Sequence, residues 1–568
     1  MAKKVQQMVY EMEDVTTIKE LIERSAMMYD ERPAFLYEDN GEVAHLTYSH
    51  VYEDIKAFAT YLRSILPEGA KIAVTGKNSY NWALTYLAVT CGVGVIVPID
   101  KDLMPEQIAS LVSDSEAQAI VYSPEQEDKV KEVTDCIKLN MSEMSSYIEK
   151  GKELLENGDT TYANHKINPH ALGVLLYTSG TTGVAKGVML SQYNICFDIT
   201  HALRRVRVYP TDVALSVAPL HHTYETTVGL LVMLYSGVAV AYNSSLKRLQ
   251  NELKLYRPTV MAVVPLILET FRNVIIKKYN KMKGGRAILA VQRAASDLTG
   301  NKAGKKIFGI INETFGGRMR LLVCGAALLS PDVFRDYERF GMKVLIGYGL
   351  TETAPVSAMH SDFYNSPDDI GYPVSGVRLK LDNVNEDGVG ELLIKGPNVM
   401  LGYYKNPEET ARVMTEDGYF RTGDLARIKP NGAYQIAGRA KSMIVSPGGK
   451  KIFPEELELF LERSEYIKES LVYEPDPEEP GILAAAIIPD DENVREYLMR
   501  QGISTDDEGY NFAEKRLFDD IVREQNLKFP HYKHIQKVYI RRRDFVKTTT
   551  RKIKRNEPDN LDNDNGEN

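Results

Sequence analysis

Tyr177-Thr178-Ser179-Gly180-Thr181-Thr182-Gly183-Val184-Ala185-Lys186-Gly187 is the stretch on which the reading of this chain turns. It follows an apolar run, Leu172 to Leu176, that reads as a strand buried in a sheet. Glycines let backbone amides approach an anion closely, hydroxyls donate hydrogen bonds and Lys186 adds a point charge, so the combination reads as a phosphate cradle. It is not a Walker loop. That motif puts a Ser or Thr directly after Gly-Lys, whereas Lys186 here is followed by Gly187 and Val188.

Working outward, helical and strand patterns alternate. Upstream, Thr17 and Glu20 make a capping-box pattern beside the apolar face Ile18, Leu21 and Ile22. After Ser49, Val51, Ile55, Phe58 and Leu62 recur at helical spacing, and Lys71-Ile72-Ala73-Val74 reads as a strand. Leu84 to Ile99 runs a helix into a β-branched strand, and Val228 to Tyr242 repeats that order. The fold class predicted is α/β, with a large N-terminal domain of two α/β layers. Around Gly390 the texture changes to short strands and turns, which predicts a small β-barrel-like unit closing that domain at residue 438. A smaller α+β domain at 443–555 follows. That domain opens on a hairpin, Met443 to Phe453, with Pro447-Gly448-Gly449 at its tip and a helix begun by Pro454. Residues 556–568, rich in Asp, Glu and Asn, read as a disordered acidic tail.

Bulk properties exclude several classes. With 568 residues, more than one hydrophobic core is expected. A formal charge of -9 argues against a general nucleic-acid binder, so phosphate must be held locally. Cys91, Cys136, Cys196 and Cys324 are scattered, which indicates neither a disulfide framework nor a zinc site. Met1 to Asp14 lacks the apolar core of a secretory signal, and a cytoplasmic location is expected. The uncharged run Trp82 to Ile99 is interrupted by Gly92, Gly94 and Pro98, so a buried helix leading into a strand is predicted and not a membrane span. Peripheral membrane contact stays open.

The Tyr177–Gly187 segment resembles the signature of the acyl-adenylate-forming (AMP-binding) superfamily, and the whole chain is most similar in pattern to its long-chain fatty acid:CoA ligases. Ala185 replaces the usual proline. Further segments match in the family's order: Gly325-Ala326-Ala327, with Ala326 where many relatives have glycine; Gly347-Tyr348-Gly349-Leu350-Thr351-Glu352-Thr353; Tyr419 to Leu425; Gly438-Arg439-Ala440-Lys441, with Ser442 replacing a frequent aspartate; and Lys547 to Arg555. The resemblance implies that Thr178, Ser179, Gly180, Thr181, Thr182, Gly183 and Lys186 hold ATP phosphates. It implies that Gly325, Ala326, Ala327, Tyr348 and Gly349 face adenine, that Thr351 bonds the α-phosphate and that Glu352 binds Mg²⁺. Asp424 would accept the ribose hydroxyls, Arg439 would contact ribose or phosphate, and Lys552 falls on the catalytic lysine. Residues 439–442 would be the hinge about which a mobile C-terminal domain, 443–555, turns, and Gly448 and Gly449 would lie near the CoA pantetheine. His222, in Pro219-Leu220-His221-His222-Thr223-Tyr224-Glu225, aligns with a histidine of the acyl pocket, while His221 reads as a packed histidine.

The implied activity is ATP-dependent conversion of a carboxylic acid, foremost a medium- to long-chain fatty acid, to acyl-AMP, then transfer to CoA. ATP, Mg²⁺ and CoA are the implied cofactors. An aryl acid:CoA ligase, or an acyl-AMP ligase loading a separate acyl carrier protein, are the alternatives. From other classes, a luciferase-like oxidase and a non-catalytic nucleotide-binding relative remain. The second is disfavoured because Lys186, Glu352, Asp424, Arg439 and Lys552 are all present.

Overall fold

The computed structural model describes residues 9–178, 185–446, 450–476, 481–505, 507–547 and 553–561. It is an α/β structure in two compact units. The first comprises Met1–Lys380, Leu393–Arg421 and Lys429–Tyr434, and the second Leu381–Leu392, Thr422–Ile428 and Gln435–Asn568. The division is therefore not one cut near residue 438, because 381–392 and 422–428 group with the C-terminal residues.

Among the described residues the first unit is built on two sheets. One runs Tyr372–Pro373, Ala358–Met359, Lys343–Tyr348, Leu321–Cys324, Val260–Val263, Val213–Ser216, Ala239–Tyr242, Pro33–Asp39, Glu42–Thr47. Its strands from Lys343–Tyr348 to Pro33–Asp39 are parallel, with antiparallel strands at both ends. The other runs Gly402–Tyr403, Lys186–Ser191, Leu172–Thr178, Val95–Ile99, Lys71–Thr75, Ala119–Tyr122, Ile137–Asn140. The strands of this second sheet that lie beyond Lys186–Ser191 are also parallel. These are the two α/β layers that the β-branched runs predict.

Local chemistry sets the helix boundaries. The Thr17 hydroxyl accepts from the Glu20 amide at 3.1 Å and starts the Ile18–Tyr29 helix, whose Ile18, Leu21 and Ile22 are buried. The Glu20 carboxylate returns the bond to the Thr16 amide at 2.7 Å, one residue earlier than a standard capping box. Thr47 caps Tyr48–Ile65, which buries Val51, Ile55, Phe58 and Leu62. Tyr80–Gly92 is a helix buried from Trp82 onward, leading into the buried strand Val95–Ile99. A Cβ on Gly94 would lie 2.5 Å from the Ala70 carbonyl oxygen, which makes glycine necessary at that junction. Each fully buried aliphatic side chain in this interior stabilises the fold by about 1.5–3 kcal/mol relative to exposure. Among the described residues, no helix is long and apolar enough to cross a membrane.

One helix departs from the expected form. Glu225–Leu231 is π-helical and continues as an α-helix only over Val232–Tyr235 before the Ala239–Tyr242 strand.

Near Gly390 the expected short strands appear as a four-stranded sheet ordered Arg378–Asp382, Val389–Lys395, Phe420–Ile428, Tyr434–Arg439. In the second unit, Ile444–Val445 pairs antiparallel with Lys451–Ile452 and the Pro454–Leu461 helix follows. A three-stranded sheet of Ile467–Tyr473, Leu483–Pro489 and Ile535–Ile540 packs with helices around Leu457, Leu461, Val472, Ile487, Phe518 and Val522. The tail predicted to lack order from Asn556 is corrected over its first part. Pro558–Leu561 is a helical turn, and buried Asn560 donates to Val546 and Lys554 carbonyls at 2.9 Å each. Those specific hydrogen bonds hold a polar segment that offers little apolar surface.

Candidate active site

Parallel strands place several predicted residues along one edge. Leu321–Cys324 and Lys343–Tyr348 run side by side with Cys324 opposite Ile346, so Gly325-Ala326-Ala327 and Gly347–Glu352 leave the sheet together at its carboxyl ends. Val213–Ser216, parallel in the same sheet, leads to the His221-His222 turn at that same edge. Open parallel sheets bind ligands at such carboxyl ends.

The turn at Gly325 is tightly built. A Cβ there would approach the Tyr224 ring to 2.7 Å, and the Tyr224 hydroxyl donates to the Val323 carbonyl at 2.7 Å. Tyr224 thus joins the histidine motif to the Gly325 segment. Ala326 has φ +70°, in the left-handed region, which explains why glycine suits this position. Gly349 is equally constrained, since a Cβ would lie 1.7 Å from the Pro355 carbonyl oxygen. Beyond it, Thr351–Thr353 forms a single 3₁₀ turn, anchored by the Asn398 amide donating to the Thr353 carbonyl at 3.1 Å and the Met400 amide donating to the Glu352 carbonyl at 2.9 Å.

The proposed phosphate cradle connects two antiparallel strands. Thr178 and Lys186 are direct cross-strand partners, and Gly187 faces Tyr177. The predicted residues Ser179, Gly180, Thr181, Thr182 and Gly183 lie outside the described residues. Gly402–Tyr403 adds to the other side of Lys186–Ser191 with Tyr403 opposite Val188. Consequently the Lys186 ammonium lies 5.3 Å from the Tyr403 ring centre and pairs with the Glu409 carboxylate. The Tyr403 hydroxyl donates to Glu352 at 2.9 Å, so one tyrosine links Lys186 to Glu352. Burial, reinforced by the Glu352 charge, raises the Tyr403 pKa and keeps the phenol protonated. Tyr403 and Glu409 were not foreseen from the sequence. The usable signal for Glu409 was the helix start Asn406-Pro407-Glu408-Glu409, capped by Asn406.

His221 and His222 have ring centres 4.1 Å apart. His221 also sits 3.5 Å from Asp100, yet burial lowers its pKa to about 3, so the ring is neutral near pH 7. Glu225 is fully buried at the start of the π-helix, and burial raises its carboxyl to about 8. Among the described residues neither carboxyl oxygen has a hydrogen-bond partner. Gly229 makes room for it, since a Cβ there would come within 2.4 Å of Glu225 Oε1.

Within the second unit, Asp424 is buried and accepts from the Arg439 guanidinium at 2.9 Å. The Thr422 hydroxyl accepts from the Asp424 amide at 3.0 Å and donates to the Leu392 carbonyl at 2.6 Å, fixing the strand around Asp424. Two predicted nucleotide residues therefore meet. Ala440–Ser442, the predicted hinge, is a 3₁₀ turn. Ser446 and Lys450 close the base of the next hairpin through the Lys450 amide donating to Ser446 Oγ at 3.1 Å. Gly448, Gly449 and Lys552 lie outside the described residues, although Lys547 and Ile553, on either side of Lys552, pair across an antiparallel bridge.

For magnesium, a carboxylate beside a phosphate cradle is a suitable partner, because Mg²⁺ commonly takes one or two carboxylates plus phosphate oxygens. Glu352 fits that mode. Among the described residues no group of three acidic, His or Cys side chains forms a cage that would hold a metal by itself. A cavity of about 460 Å³ lined by Phe35, Asp54, Tyr80, Tyr242 and Tyr256 contains none of the predicted site residues.

The family model described as AMP-binding enzyme matches residues 22–404. Among curated relatives, long-chain-fatty-acid–CoA ligase 5 of Rattus norvegicus is 26% identical over 93% of this chain and 82% of its own length. Long-chain-fatty-acid–[acyl-carrier-protein] ligase AEE15 of Arabidopsis thaliana is 28% identical over 83% of this chain and 76% of its own. Among solved structures, o-succinylbenzoate CoA synthetase of Bacillus subtilis with its acyl-adenylate aligns with a TM-score of 0.71 at 18% identity, covering 94% of this chain and 97% of that one.

Proposed function

The chain belongs to the AMP-binding enzyme family, and from that premise we propose that it is an ATP-dependent ligase that activates a medium- to long-chain fatty acid as acyl-AMP and transfers the acyl group to CoA. The observation that carries this reading is the Lys186–Tyr403–Glu352 array, which sets a cation and a hard carboxylate around the ends of a phosphate-type hairpin. Relatives named as long-chain fatty acid ligases support the choice of acid. The buried helical stretch after His222, apolar from Val228 through Leu231 and on through Val232–Tyr235, suits an aliphatic chain.

A carboxylate is a poor electrophile because oxide would have to leave. In the first half-reaction a carboxylate oxygen attacks the α-phosphorus of ATP, the bond from that phosphorus to the pyrophosphate oxygen breaks, and acyl-AMP forms. Lys186 would exchange Glu409 for phosphate oxygens and neutralise charge there. Thr351 would bond the α-phosphate, Tyr348 would stack on adenine, and Asp424, oriented by Arg439, would accept the ribose hydroxyls. Glu352 would hold Mg²⁺, which supplies positive charge to the phosphate oxygens. Lys552 would stabilise charge between the carboxylate and the α-phosphate. In the second half-reaction the CoA sulfur attacks the acyl carbon, the bond to AMP breaks and the thiol proton leaves to solvent. Here 439–442 would act as the hinge that withdraws Lys552 and brings Gly448 and Gly449 to the pantetheine.

The test is acid-dependent exchange of pyrophosphate into ATP across aliphatic and aryl acids, followed by thioester detection with CoA and with acyl carrier protein. Exchange and thioester formation with fatty acid and CoA are the expected result. Exchange with aryl acids only, or acyl transfer to carrier protein only, would replace the substrate assignment. No exchange with any acid would end the proposal.

A further inference from the structure

Two consecutive helices after the Val260–Val263 strand, Pro265–Lys281 and Gly285–Leu298, carry a surface unlike the rest of the chain. Between Pro265 and Lys306 there are ten Lys or Arg against two Asp or Glu, in a protein of net charge -9. Some of that charge is internal: Arg272 and Arg293 bond buried Asp336 at 2.7 and 2.6 Å, and Asp297 pairs with Arg339 at 2.8 Å. Lys278, Lys283, Lys302 and Lys306 remain on the exposed surface.

The second helix is also apolar where it meets water. Ala287, Val291, Ala294 and Leu298 recur at i, i+4, i+7 and i+11, all exposed, with Val291 at 68% and Leu298 at 88%. Ile288 and, in the turn before the helix, Met282 add to that face. Its opposite side buries Leu289 and Ser296. The exposed stripe is thus flanked by basic residues at both ends, Lys281 and Lys283 before it and Lys302, Lys305 and Lys306 after it.

We propose that this helix pair is a docking surface for an anionic lipid bilayer, in which the stripe from Ala287 to Leu298 enters the headgroup–acyl boundary while the flanking lysines meet lipid phosphates. Interfacial helices combine these two features, an apolar face for the acyl boundary and cations for the headgroups. The apolar stripe is what favours a bilayer over a soluble polyanion, which would use the lysines and leave Val291 and Leu298 in water. The inference does not rest on the ligase reading, because vesicle binding is measured without ATP, acid or CoA.

The test is flotation of the full-length protein with vesicles of phosphatidylcholine, alone or mixed with phosphatidylglycerol. Binding to the mixed vesicles that weakens with salt is expected. Val291→Ser combined with Leu298→Ser should reduce it about tenfold or more through lost apolar burial. Each of Lys278→Gln, Lys283→Gln and Lys302→Gln should reduce it about fivefold. Val291→Trp should show blue-shifted emission only with the mixed vesicles, read against the chain's single tryptophan, Trp82, which is 1% exposed. Three results would overturn the proposal: no flotation with mixed vesicles, flotation unaffected by the double serine variant, or a self-association in solution that the serine variant disperses, which would make a second copy the occupant of the stripe.

Discussion

Replacing Glu225 with glutamine will flatten the pH dependence of stability between pH 5 and 8. Burial lifts this carboxyl from 4.5 to about 8. A group whose folded pKa is raised contributes its stability fully below the unfolded value and loses it as pH rises through the folded one. At one pKa unit per 1.36 kcal/mol, ionisation of Glu225 in the unfolded chain costs the native state about 4 kcal/mol near pH 7.5 and under about 1 kcal/mol near pH 5. Glutamine keeps the shape and removes the titration. Any constant cost of its buried amide cancels when variant and parent are compared across pH. Thermal melts followed by circular dichroism should therefore show the variant gaining several degrees relative to the parent between pH 5 and pH 8. Parallel curves would mean that Glu225 is ionised in the folded protein, and the argument from its unpartnered oxygens would fail.

Three further outcomes are expected. His221, held neutral with a pKa of about 3, behaves oppositely: its contribution is intact above pH 6.5 and is lost as pH falls towards 3, so His221→Gln should lessen acid destabilisation below pH 6, and an unchanged acid limb in melts would contradict this. Glu409→Gln removes the internal partner of Lys186 and should tighten ATP binding a few-fold by calorimetry, whereas weaker binding would show that the pair orients Lys186 for the nucleotide and does not compete with it. Lys552→Ala should abolish pyrophosphate exchange, by about a hundredfold or more, while leaving thioester formation from supplied acyl-adenylate, and equal loss of both would refute the role given to this lysine.

What could be read from the sequence follows the range of the interactions concerned. Strands and caps are local: Leu172 to Leu176 and the Thr17 cap were legible because a short continuous apolar run and a hydroxyl at the right offset suffice. The carboxyl-edge placement of Gly325–Ala327 and Tyr348–Glu352 was legible only as a family pattern. Tyr403 was not, because nothing near it in the chain states that Gly402–Tyr403 will lie along Lys186–Ser191, more than two hundred residues away. The π-helix at Glu225–Leu231 escaped for a different reason. Over only seven residues, a period of about 4.4 cannot be told from 3.6 by hydrophobic pattern. The order at Pro558–Leu561 escaped because it depends on hydrogen bonds from Asn560 to residues fourteen and six positions back, where composition alone indicates a solvated tail.

The cross-strand pairing of Thr178 with Lys186 bears on how such a protein can change over generations. The ladder pairs the two residues across the strands, so the position of Lys186 depends on the register of the two strands. Deleting one residue from Val188 to Leu190 would have a disproportionate effect. Successive side chains in a strand alternate between faces, so that lesion would turn Lys186 towards the opposite side of the sheet and away from Tyr403. Lineages are therefore expected to keep the length of this strand pair as strictly as the cradle residues that it joins.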